Sequence, residues 1–154
     1  MLIKKGFTLI ELLIVITIIA ILAVAVLSAI NPIEQIRRAQ DTGKESDSAE
    51  LLNGLERYYT AFFEYPWEKL GEADPSQTLV QDSWITELIN NGEVKPQFAN
   101  RDSWDSIFVT QSGSIVSLCF DPASSSTQKQ ADDAGKNKDG SSGCTSSCWA
   151  CIPK

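Results

Sequence analysis

The chain has no histidine among its 154 residues. That excludes histidine-bearing zinc sites, serine–histidine–aspartate triads and an imidazole pH switch. Basic charge is also short: 13 lysines and arginines stand against 20 acidic residues, for a formal net charge of −7. With no basic stripe, grip on a phosphate backbone is not the main task, and no direct nucleic-acid binding is expected. There is no phosphate-binding loop, and the carboxylates form no paired acid/base constellation that can be assigned to a pocket. Neither an enzyme nor a cofactor is therefore expected. No cysteine occurs before Cys119, and the last thirty residues hold almost no aliphatic side chains. A hydrophobic content of 43% nevertheless sets the chain apart from disordered sequences.

The hydrophobic residues are concentrated at the start. From Leu12 to Ile30 only Thr17 and Ser28 are polar. As a helix this run is roughly 28 Å long at ~1.5 Å per residue, close to the ~30 Å hydrocarbon core of a bilayer. A buried helix of a water-soluble domain would normally keep a polar face, and this run has none. Lys4 and Lys5 precede it and place that end in the cytoplasm, so the rest of the chain is expected outside.

Two readings of the segment compete. One is a secretory signal peptide, with small-residue cleavage sites at Ala23-Val24-Ala25 or Leu27-Ser28-Ala29. The other is a retained anchor, processed ahead of the apolar run. Glu11 bears on the choice. A carboxylate costs ~2.5–3.5 kcal/mol at mid-membrane, less near an interface, and a plain signal peptide gains nothing from it. Either Glu11 sits tolerated at headgroup depth, or it needs a partner cation.

Lys4-Lys5-Gly6, then Phe7-Thr8-Leu9-Ile10-Glu11-Leu12, then an unbroken apolar helix: this order resembles, without a gap, the type IV pilin and pseudopilin signal. The resemblance implies a leader of residues 1–6. A prepilin peptidase would cut between Gly6 and Phe7 on the cytoplasmic side and methylate the new terminus at Phe7. It implies that the Glu11 carboxylate of one subunit meets the amine of a neighbour and registers incoming copies during assembly. The implied partners are further copies of the chain in a helical homopolymer, the peptidase, a membrane assembly platform, and the lipid bilayer before assembly. The implied fold is α+β: a long helix, membrane-resident over 7–30 and amphipathic over 31–65, packed on a small antiparallel sheet in a head of 66–154.

Beyond the run, Asn31-Pro32 predicts a kink or short unwound stretch. Helical spacing then resumes through Ile33, Ile36, Ala39, Leu51, Leu52, Leu55, Tyr58, Tyr59, Phe62 and Phe63, and Tyr65-Pro66 ends it. The aromatic cluster Tyr58, Tyr59, Phe62, Phe63 and Tyr65 reads as core packing. Arg37, Arg38, Asp41, Lys44, Glu45 and Asp47 read either as a solvated face or as ion pairs between copies.

In the head, a short helix is expected over roughly 82–90, capped by Asp82 or Ser83 and stopped at Asn91-Gly92. Runs at 107–110 and 114–120 flank Gln111-Ser112-Gly113 as a hairpin. A third strand would come from 97–104 or from the carboxyl tail. Residues 121–143 lack apolar periodicity and read as a surface loop or disordered insert. Asp121, Asp132, Asp133 and Asp139 raise a calcium possibility, but the spacing and closing glutamate of an EF-hand are missing. Cys119, Cys144, Cys148 and Cys151 form an even set in the expected exterior part, where two disulfides are the default and three connectivities are open. A four-thiolate zinc site is the rival, half-matched by Cys148-x₂-Cys151. Trp149 is expected to pack on the hairpin or to form an exposed tip.

Overall fold

The computed structural model describes residues 6–29 and 31–153. The chain divides into two compact units, Met1–Gln35 and Ile36–Lys154. Met1 to Lys5, Ile30 and Lys154 lie outside the described residues, and with them Lys4, Lys5 and most of the expected leader.

The first unit is dominated by helix α1, Leu9–Ala29. A second helix, α2, covers Pro32–Phe62. Pro32 therefore opens a new helix, at the position where its missing N–H costs nothing. Asn31 stands ahead of it as the cap, with its Oδ1 accepting from the Glu34 amide at 3.4 Å and its carbonyl accepting from Gln35 at 3.3 Å.

The second unit builds a core on one face of α2. Leu51, Leu52, Leu55 and Tyr58 recur at helical spacing and are buried. They join one cluster with Trp67, Trp84, Ile85, Leu88, Phe98, Trp104, Ile107, Val109, Leu118 and Phe120. The Tyr58 hydroxyl donates to Glu87 at 3.0 Å. Burial, reinforced by that carboxylate, pushes its phenol up to about 12. Of the five aromatics expected in the core, only Tyr58 and Tyr65 are buried, while Tyr59, Phe62 and Phe63 stand out from the surface. Tyr59 and Phe62 belong to the last turn of α2 and each packs on one ring, Tyr59 on Tyr65 and Phe62 on Tyr58, while Phe63, just past the helix end, is left-handed at φ +60°.

After α2 come a one-turn helix α3, Pro66–Lys69, and α4, Asp82–Asn90. The cap of α4 is Gln81, without a side-chain bond, and not Asp82 or Ser83. Its end matches expectation, with Gly92 at φ +76° and its amide bonded to the Ile89 carbonyl at 3.0 Å. Two 3₁₀ helices, Pro96–Asn100 and Asp102–Ser106, occupy the stretch that could have supplied a strand.

The sheet has four antiparallel strands in chain order. They are β1 (Thr78–Leu79), β2 (Ile107–Ser112), β3 (Ile115–Phe120) and β4 (Ala150–Ile152). The hairpin turn is Gly113-Ser114, one residue later than expected, because Ser112 still pairs with Ile115. Gly113 sits at φ +61°, which only glycine enters freely. Ile107, Val109, Val116 and Leu118 point into the core. By alternation Phe108, Ser117, Cys119 and Cys151 share the opposite face.

Residues 121–143 are the main correction. They hold a ten-residue helix, α5, Ser125–Ala134. Only Ala131 of it is buried, so there was no apolar stripe to read. The helix is specified at its ends instead. Ser124 Oγ caps the Thr127 amide at 3.2 Å, and Gly135 closes it at φ +62°.

Candidate functional site

Two sites matter: the start of α1 and the covered back of the sheet. At the first, Gly6, Phe7 and Thr8 precede the helix and are non-helical. Thr8 and Glu11 bond reciprocally. The Thr8 amide donates to Glu11 Oε2 at 2.9 Å, the Thr8 hydroxyl donates to the same oxygen at 2.8 Å, and the Glu11 amide donates back to Thr8 Oγ1 at 3.3 Å. This is a capping box, with threonine as cap and glutamate three residues on. Its signature, Thr8-x-x-Glu11, was there to be read in the sequence. Glu11 therefore has a local partner within its own chain as well as the one the resemblance implies. The carboxylate also sits at the positive end of the helix dipole, where negative charge is stabilised.

Every described large apolar side chain on α1 is exposed, so the helix finds no cover within its own chain. Leu9–Ser28 is long and apolar enough to cross a membrane. Its two hydroxyls are satisfied internally: Thr17 donates to the Ile14 carbonyl at 2.8 Å and Ser28 to the Ala25 carbonyl at 2.9 Å. No free donor is left to meet hydrocarbon at those positions.

At the second site, the four cysteines form two disulfides, Cys119–Cys151 and Cys144–Cys148, which removes the four-thiolate zinc reading. Cys119–Cys151 joins directly opposed residues of β3 and β4. Cys144–Cys148 closes a small ring tied to α5: Asp132 accepts the Cys148 amide at 2.9 Å, and Gln128 Nε2 donates to the Cys148 carbonyl at 3.0 Å. The Cys148 amide, and second to it Gln128 Nε2 donating to the same carboxylate at 2.9 Å, hold the Asp132 carboxyl below its ordinary range.

Residues 135–149 thus form a strap over the back of the sheet. Lys138 Nζ lies 3.6 Å from the centre of the Phe108 ring, and Trp149 meets the same ring edge-on at 5.5 Å. Trp149 therefore packs on the hairpin, one of its two expected places. Gly140, at φ +76°, passes so close that a Cβ would stand 2.8 Å from Ser117 Cβ. Gly140→Ala will therefore lift the strap, at a cost of about 1–3 kcal/mol for overpacking and left-handed strain together. Thermal unfolding of the variant checks this, and an unchanged midpoint contradicts the close approach.

The acidic residues do not gather. Among the described residues, no group of three or more cysteine, aspartate, glutamate or histidine side chains is placed to hold a metal. Asp121 and Asp133 are exposed, Asp132 serves the Cys144–Cys148 ring, and Asp139 accepts from the Ser141 amide and hydroxyl at 3.0 and 2.6 Å. The polar middle of α2 also corrects expectation. Of the six residues only Asp41 is buried; Arg37 and Arg38 stay exposed, and Lys44, Glu45 and Asp47 are half-buried. Asp41 is 1% exposed and accepts the Ala123 and Ser124 amides, Arg38 Nε donates to Ser126 Oγ at 2.7 Å, and Asp47 pairs with Arg101.

Comparison with known proteins places a class on the amino terminus. The family described as the prokaryotic N-terminal methylation motif matches residues 1–27. The chain therefore carries the amino-terminal signal of type IV pilins and pseudopilins, a motif of structural proteins. No curated protein and no solved structure matches the chain.

Proposed function

We propose that this chain is the structural subunit of a type IV pilus-like filament. It is cut between Gly6 and Phe7, methylated at Phe7, held in the cytoplasmic membrane with its amino terminus inside, and then drawn into a fibre outside. The observation that carries the reading is α1: apolar on every face, uncovered by its own chain, and led by the methylation motif. Such a helix has two stable environments, lipid or a bundle of its own kind. Cleavage leaves an amine at Phe7, four residues before Glu11. In a bundle of low dielectric, that amine and the Glu11 carboxylate of a neighbour attract strongly, and either one alone is costly. The capping box gives Glu11 a partner until then.

The second reading within the same class is the major pseudopilin of a secretion system, with a shorter fibre that does not leave the envelope. A third is a disulfide-stapled binding module that stays anchored or is secreted and does not polymerise. Intact mass and amino-terminal sequencing of the mature protein separate the routes. A methylated Phe7 is expected; a start at Val26 or Ile30 would mean a secreted head and would end the filament reading. Glu11→Ala should leave the chain in the membrane and abolish fibres in electron micrographs. Normal fibres from that variant would overturn the registration role.

A further inference from the structure

Three ring contacts of the second unit run in series. Tyr59 stacks on Tyr65 with ring centres 4.7 Å apart, Tyr65 stacks on Trp67 at 4.8 Å, and Trp67 meets Trp84 edge-on at 5.1 Å. Every member is a phenol or an indole, the side-chain rings that give up one electron to a radical oxidant. Centres this close put the rings in contact, so an electron crosses each gap without a carrier between. Only the last member reaches solvent: Trp84 is 3% exposed, Trp67 0%, Tyr65 5% and Tyr59 38%.

The row has a direction. Trp84 Nε1 donates to the Glu72 carboxylate at 2.7 Å, which favours positive charge on that indole. Trp67 Nε1 donates to Gln111 Oε1 at 2.6 Å. Burial pushes the Tyr65 phenol up, which marks a site where a proton is hard to shed. Tyr59 stands at the surface, where water takes the proton of an oxidised phenol and leaves a neutral radical. An electron vacancy on either indole therefore ends there. The other two of the four tryptophans lack such an exit. Trp104, 5% exposed, packs on Phe98 at 4.7 Å, and Trp149 packs on Phe108 at 5.5 Å. Phenylalanine gives no electron to a neighbouring indole, so Trp104 is a buried control within the same chain.

We propose that the row Trp84, Trp67, Tyr65, Tyr59 carries oxidation out of the core. An electron lost by Trp84 or Trp67 is replaced from Tyr65, and Tyr65 is refilled from Tyr59. The lost electron goes to a radical oxidant derived from peroxide or, under ultraviolet light, to dioxygen, which becomes superoxide. The Tyr59 proton goes to water. A water-soluble hydrogen-atom donor such as ascorbate then restores the phenol, and two ascorbyl radicals disproportionate to ascorbate and dehydroascorbate. The activity needs one chain only and does not rest on the filament reading.

The test uses the full chain in detergent, illuminated with ultraviolet light in air with ascorbate present. Kynurenine is measured at each tryptophan by peptide mass spectrometry. Tyr65→Phe keeps the ring and removes the electron donor beside Trp67. It should melt with the unaltered chain, raise kynurenine severalfold at Trp67 and Trp84, and leave Trp104 unchanged. No rise at Trp67 and Trp84 overturns the proposal. An equal rise at Trp104 means a loosened core and overturns it as well. Tyr59→Phe is the second variant, at the surface and outside the core cluster. Frozen after illumination without ascorbate, the unaltered chain should show a tyrosyl radical by electron paramagnetic resonance. Tyr59→Phe should lose most of that signal, and an unchanged signal overturns the proposal.

Discussion

Replacing Cys119 and Cys151 together by alanine will destabilise the head by about 3–4 kcal/mol, and replacing Cys144 and Cys148 by about 2 kcal/mol. The order follows from chain entropy. The first bridge closes a separation of 32 residues and the second a separation of 4, so the first removes far more freedom from the unfolded chain. The folded side points the same way. Cys119 is fully buried under the strap, and its partner strand β4 has only three residues, too few to hold on by pairing alone. Loss of the Cys144–Cys148 bridge leaves Asp132 and Gln128 still gripping Cys148. Thermal unfolding of the detergent-solubilised chain should show a drop of roughly 10–15 °C for the first pair and about half that for the second. The reverse order would mean that the small ring, and not the strand bridge, holds the strap down.

How much of this could be read beforehand varies with the physical signal. Where burial is periodic, the sequence carried the answer. Leu51, Leu52, Leu55 and Tyr58 marked the buried face of α2, and Ile107 to Phe120 marked the hairpin. Helix α5 was illegible because it buries only Ala131, and its stability comes from Ser124, Gly135 and a carboxylate 83 residues earlier in the chain. The same holds for the strap, which depends on a close backbone pass at Gly140 and on a disulfide connectivity that spacing leaves open. At the amino terminus the methylation motif was fully legible, since it is contiguous. The capping box inside it is equally local, but its Thr8-x-x-Glu11 signature overlaps the methylation motif, which already accounts for both residues.

The two ends of the molecule solve one problem in different ways. Glu11 and Asp41 are both carboxylates in places that would penalise a lone charge, and both are engaged by backbone N–H groups near the start of a helix. Glu11 caps its own helix in an exposed setting, so in the proposed filament its bonds are the ones to be exchanged for a neighbour's amine. Asp41 caps a different helix from within a sealed contact, so its bonds are permanent features of the head.

That contrast sets the remaining prediction. Asp41→Ala should destabilise the head by about 2–4 kcal/mol, because it strips a charged acceptor from the Ala123 and Ser124 amides, and buried Ser124 has no solvent close by to replace it. Asp41→Asn keeps one acceptor oxygen and should lose about half as much. The effect should be local before it is global. Hydrogen exchange should speed up first in α5 and the strap, since little apolar burial holds α5 in place, while the β2–β3 hairpin keeps its protection. It should also differ little between low and high salt, as the carboxylate is sealed from solvent and bonded at 2.8–2.9 Å. A surface ion pair would behave the other way, with a small loss that salt abolishes. If Asp41→Ala unfolds within 0.5 kcal/mol of the unaltered chain, α5 does not depend on α2 for its start.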